Sequence, residues 1–147
     1  MAVAIHPRDG ADLRLLAAAP QALMGIGALF GGYSLIADAE GFGMDPAWLE
    51  HSPFGDYLVP GLFLFIVIGL GNMLGALLAL GNRGWAAAAV LNGAMMFAWL
   101  TVETALVRWQ GGPQGILLAV CGGSGLLMLG AGVRGGGVTA LRGLRAR

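Results

Sequence analysis

The chain has 147 residues, eight basic and eight acidic, so its formal net charge is zero; 57% of it is hydrophobic and only 11% charged. A water-soluble domain carries about 25% charged residues, and nucleic-acid binding calls for a basic excess, so composition excludes both classes. All the basic residues are arginine, beside 27 glycines and many alanines, a bias expected of a GC-rich bacterial genome.

Four apolar stretches, residues 13–37, 57–80, 85–107 and 115–133, occupy most of the chain. A helix crosses a hydrocarbon core of about 30 Å with roughly 20 apolar residues. The expected fold is therefore all-α: an antiparallel four-transmembrane-helix bundle, a single domain over residues 1–147, with an outer loop at 38–56. Arg8, Arg14, Arg83, Arg134, Arg142, Arg145 and Arg147 fall on one side of such a bundle and only Arg108 on the other. Basic residues stay on the cytoplasmic side, so both termini are expected there, in the cell inner (cytoplasmic) membrane, with the lipid bilayer as constant partner.

In chain order, residues 1–12 read as a short tail and Asp12 as the N-cap of the first helix. Pro20 sits where it kinks or starts that helix. Gly27 and Gly31, one turn apart, form a small-xxx-small face for close backbone approach. Ala37-Asp38-Ala39 has the small-residue pattern of a signal-peptidase site, but signal-peptide cores run roughly 7–15 residues and this apolar run is longer. An uncleaved first helix is the expectation.

The outer loop carries Asp38, Glu40, Asp45, Glu50 and Asp56 and no arginine, giving a negative surface that attracts cations or a basic partner. Asp45-Pro46 reads as a helix start, with Trp48, Leu49 and Phe54 dipping into the membrane interface and Tyr57 anchoring the second span. His51 has Asp45, Glu50 and Asp56 nearby in sequence, but their spacing fits no metal motif; His51 and Asp56 stand as outer-loop candidates, and no metal is expected.

Gly81-Asn82-Arg83-Gly84 is short enough to make the second and third spans an antiparallel hairpin. Positions whose numbers sum to about 165 then share a depth, which places Asn72 and Asn92 level, each about 12 Å from the turn. A carboxamide bond between them is expected, beside the small-xxx-small pair Gly71 and Gly75. Glu103 is the acid inside the third span. A charge at mid-membrane costs roughly 2.5–3.5 kcal/mol and marks a functional candidate; Arg108, five residues on, is its possible counter-charge. Gly122 and Gly125 give the fourth span a packing surface, Cys121 is a small packing residue, and the arginine-bearing tail suits anionic headgroups.

Membrane haem needs a ligand in the spans, whereas His6 and His51 lie outside them. One cysteine excludes dithiol chemistry. The serines lack an accompanying histidine and acid, and the glycine-rich segments lie inside spans, where they cannot hold phosphate. No cofactor and no catalytic constellation is expected.

The stretch Ser52-Pro53-Phe54-Gly55-Asp56-Tyr57-Leu58-Val59-Pro60-Gly61, running on to Gly69-Leu70-Gly71-Asn72, resembles a segment of an uncharacterised family of small bacterial four-span integral membrane proteins. The resemblance implies the four-span fold, with this segment entering the second span, and no particular activity. The expected function is non-enzymatic: packing through glycine-rich faces with a second copy or a partner membrane protein. The competing expectation is a small ion, proton or solute transporter or channel using Glu103 with Asn72 and Asn92.

Overall fold

The computed structural model describes residues 7–145 other than 42, 108 and 110. His6, Arg108 and Arg147, which entered the sequence reading, lie outside the described residues. All regular structure among the described residues is helical. Helix α1 spans Pro7–Ala37, α2 Leu58–Leu80, α3 Trp85–Leu106, α4 Gly112–Arg134 and α5 Gly137–Arg145. The first four are each long and apolar enough to cross a membrane. One end of the bundle carries the outer loop and the other the Gly81–Gly84 turn; we call them the loop end and the turn end.

The start of α1 corrects the sequence reading: the helix begins at Pro7, so Asp12 lies inside it rather than capping it. Pro20 lies within the same continuous helix. The turn is as tight as its length required. Asn82 and Gly84 adopt left-handed backbone, φ 53° and 56°, and Arg83 N–H donates to Leu78 O at 2.9 Å. The residues after α4, read from sequence as a tail, form α5. Its Val138 and Leu141 recur at helical spacing beside Arg142, and Gly137 lets its start pass against the Ala86 backbone.

Helices α1 and α2 pack along their whole length, as do α3 and α4, whereas α2 meets α3 mainly through residues 71–80. Side-chain size also grades the core from one end to the other. The core layer at the turn end consists of Ala17, Ala89 and Ala131, which let backbones approach. The middle layer is bulkier, with Met24, Ile68, Met96, Leu100 and Met128. At the loop end Leu35, Leu49 and Tyr57 cap the core.

The α1–α2 seam rests on glycines, but not on the predicted pair. A Cβ on Gly27 would meet nothing within 4 Å, and one on Gly31 only the Leu64 side chain at 3.5 Å. The close approach is made instead by Gly32, where a Cβ would lie 2.6 Å from Phe65 N and 2.8 Å from Gly61 O, and by Gly25, 3.0 Å from Met73 N. Gly61 and Gly69 return the approach from α2, against Leu35 and Leu29. From Gly32 back to Gly25 is seven residues on α1, whereas Gly61 to Gly69 is eight on α2. Residues Leu64–Leu70 form a π-helical turn, whose wider coil takes up the additional residue and keeps both glycine contacts in register. A four-residue spacing rule presumes regular helices on both sides and misses this.

Candidate functional site

The outer loop folds over the loop end rather than lying out along the membrane. Asp45 caps a short 3-10 turn, Pro46–Leu49, its carboxylate accepting from Ala47 N–H at 2.9 Å. Leu49 is buried against Leu35 and Tyr57, a correction to its expected place in the interface. Tyr57 is 4% exposed and is the loop's fastening: its N–H donates to Ala39 O and its hydroxyl to Asp45 O at 2.9 Å. Burial, and secondarily the nearby Asp45 carboxylate, raise its phenol above the ordinary value of 10.0. Asp56 accepts from Leu58 N–H at 3.0 Å, helping the chain turn into α2.

Beneath this roof lies a cleft of about 810 Å³, lined from all four long helices. It exists because α2 and α3 part toward the loop end. Its walls are apolar and aromatic, with Trp48 and Phe54 from the loop, Phe63 from α2 and Trp99 from α3. The rings of Phe63 and Trp99 stack across the α2–α3 gap with centroids 5.1 Å apart. Val59, Met95 and Val102 line the cleft yet remain exposed, so it opens sideways between helices. Glu103 is half-buried in its wall, one helical turn after Trp99. Gln114 also lines it and donates to Val107 O at 3.4 Å. Gly27 and Gly31 form part of the α1 wall, and Cys121 part of the α4 wall. Gly27 therefore widens a cavity instead of closing a seam.

Asn72 and Asn92 lie deeper, toward the turn end, and do not line the cleft. The expected bond between them is not formed. The two amide hydrogens of Asn92 go to Gln21 Oε1 at 2.7 Å and to Gly71 O at 2.9 Å. Asn72 donates within its own helix to Ile68 O at 2.9 Å, the carbonyl near the end of the π-helical turn, and its buried Oδ1 has no hydrogen-bond partner. Gln21, fully buried in α1, also donates to Ala17 O at 3.0 Å. Sequence reasoning missed Gln21, although a lone carboxamide inside a long apolar run was a readable signal. Gly75 makes room for this group: a Cβ there would collide with Gln21 Oε1 and stand 2.5 Å from Asn92 Nδ2. Gly71 is looser, 3.5 Å from Asn92 Oδ1. The carboxamides thus tie α1, α2 and α3 together below the cleft.

The remaining predicted residues fall elsewhere. His51 and Asp56 are exposed on the loop, and no group of three or more metal-ligating side chains forms among the described residues. On α4, Gly125 accepts a close approach from Phe97, 3.0 Å from a built Cβ, while Gly122 is loosely packed with Leu100 at 3.9 Å. The tighter α3–α4 contacts are at Gly93, against Leu129 and Gly125 O, and at Gly132, against Ala86 O and Val90.

Set against known protein families, curated proteins and solved structures, the chain matches none of them.

Proposed function

We propose that this protein is a non-enzymatic, multi-pass protein of the bacterial cytoplasmic membrane, with both termini cytoplasmic, that holds an amphipathic lipid-like molecule in its loop-end cleft. Membership in the four-span family that residues 52–61 resemble belongs to the same reading. The observation that carries it is the size and lining of the cleft. A volume of about 810 Å³ falls within the roughly 300–1,000 Å³ range of small-molecule sites. Ten residues of a partner helix, about 10 Å across and 15 Å long, would fill roughly 1,200 Å³, so a chain-like molecule fits and a helix does not. The side opening between α2 and α3 gives such a molecule a route from the bilayer.

A second reading, association with a second copy or a partner membrane protein, is favoured by Gly123 and Gly130. They stand two turns apart on α4, and a Cβ on either would meet nothing within 4 Å. The transport reading finds less support, because Glu103 lies in the cleft wall while Asn72 and Asn92 serve the helix contacts below it.

The test is native mass spectrometry of protein extracted from its own membranes in mild detergent, wild type beside Gly27→Phe. Gly27 lines the cleft, and a Cβ there would meet nothing within 4 Å, so a side chain can start from it without moving backbone and phenylalanine takes up cleft volume. Wild type should retain one lipid-like molecule per chain, and Gly27→Phe should lose it. Retention of the adduct by Gly27→Phe would remove the cleft as its site. A stoichiometric second protein without an adduct would favour the second reading.

A further inference from the structure

The cleft is built for more than an acyl chain, because its apolar wall contains a carboxyl group. Resting on the proposal that the cleft holds an amphipathic ligand, the geometry points to a lipophilic organic cation as that ligand, with Glu103 taking the charge and Trp99, Phe63 and Trp48 taking the carbon skeleton. Glu103 lines the cavity one helical turn from Trp99, whose ring is stacked on Phe63. A positive group beside Glu103 is thus offered a carboxylate and an aromatic face together, the pairing that recognises quaternary ammonium compounds.

Other ligand chemistries fit less well. A hard inorganic cation demands several oxygen ligands before it gives up its water, and no group of three or more acidic, histidine or cysteine side chains assembles among the described residues. An anion would meet the carboxylate with like charge. A neutral lipid would use the apolar walls, but it would leave the acid in the cavity without a function.

The surface above the cleft points the same way independently. Asp38, Glu40, Asp45, Glu50 and Asp56 are all exposed on the roofing loop, and residues 38–57 include no arginine or lysine, His51 being the one basic side chain. Such an acidic surface raises the local concentration of cations at the loop end of the bundle, the end that holds the cleft. Attraction by the loop, then desolvation onto aromatic faces around one fixed carboxylate, makes a graded entry path for a greasy cation.

The test measures equilibrium binding of dodecyltrimethylammonium and of its uncharged isostere, 2,2-dimethyltetradecane, to protein in nanodiscs of digalactosyldiacylglycerol, a lipid without a cationic group, with empty nanodiscs as baseline. Wild type should bind the cation at one per chain and about tenfold more tightly than the isostere, the discrimination expected when one charge pairing adds to a shared apolar contact. Glu103→Gln, with unchanged helicity and melting, should bring the cation down to the isostere's affinity, and Glu103→Asp should restore part of the preference. Equal affinity for both probes in wild type, or an undiminished cation preference in Glu103→Gln, overturns the cationic assignment while leaving the cleft as a lipid site. If neither probe binds above empty nanodiscs, or Gly27→Phe binds both as wild type does, the cleft reading itself falls.

Discussion

Helix α2 meets its two long neighbours in opposite ways. Against α1 it packs backbone to backbone through Gly25, Gly32, Gly61 and Gly69, with contacts to α1 from every part of α2. Against α3 it is held mainly at the turn end, where Asn92 reaches Gly71 O and Gln21, and from there it diverges. A seam made by glycine contact is continuous and leaves no volume. A seam made by side-chain hydrogen bonds at one end opens like a hinge at the other, and the opening is the cleft. In a bilayer, where lipid chains are as apolar as the helix faces, van der Waals fit and interhelical hydrogen bonds hold helices together. This protein uses one device on each side of the same helix.

The contrast can be broken most sharply on the glycine side. Gly32→Ala places a methyl group where Phe65 N and Gly61 O stand 2.6 and 2.8 Å away, so backbone has to move. Overpacking of this kind costs about 1–3 kcal/mol, and thermal unfolding in detergent should show the largest loss of melting temperature among the single substitutions discussed here. An unchanged melt would mean the α1–α2 seam is slack.

Asn92→Ala tests the hydrogen-bonded seam. It removes two donor contacts and leaves Gln21 Oε1 and Gly71 O without Asn92. The expected loss is about 1 kcal/mol, since interhelical hydrogen bonds in membranes average near 0.6 kcal/mol each. Crosslinking between engineered cysteines in residues 71–80 and 85–95 should become less efficient, while α1–α2 crosslinking stays as in wild type. Equal loosening of both seams would contradict the division proposed.

The smallest effect is expected at the roof. Tyr57→Phe deletes one hydrogen bond, to Asp45 O, worth about 0.5 kcal/mol at this surface loop. Because it acts on the loop and not on a helix seam, its signature should be faster proteolysis within residues 40–56 with little change in global melting. A large drop in melting temperature would show that the roof holds the bundle together.

What sequence alone made legible was local. The four spans, the tight Gly81–Gly84 turn and the Asp45-Pro46 cap all follow from composition, length or a two-residue signal, and each is where it was expected. The helix contacts were less legible because they depend on rotation and register between helices. Gly27 and Gly31 have the right spacing for packing, yet they line the cleft; Gly25 and Gly32 do the packing, seven residues apart, against a partner with a π-helical turn. Asn72 and Asn92 read as level in the hairpin, but depth does not fix which way a carboxamide turns, and Asn92 found Gln21 on a third helix. Glu103 stood out as a charge in a span, while its aromatic surroundings come from α2, α3 and the loop together. Helix α5 was missed because its pattern is short and follows directly on a longer apolar run.

The eighth residue that α2 carries between its two glycine contacts has a consequence for how this chain can vary. A regular helix covers two turns with about seven residues, so a chain one residue shorter within 64–68 would run as plain α-helix and still present both glycines to α1. A deletion within 71–74 has no such reserve and would swing every later side chain of α2 by about 100°, carrying Gly75 away from Gln21 and Asn92. Length change is thus tolerable beside the cleft and forbidden below it, which leaves the cleft-facing half of α2 free to be reshaped while the half that holds the bundle stays fixed.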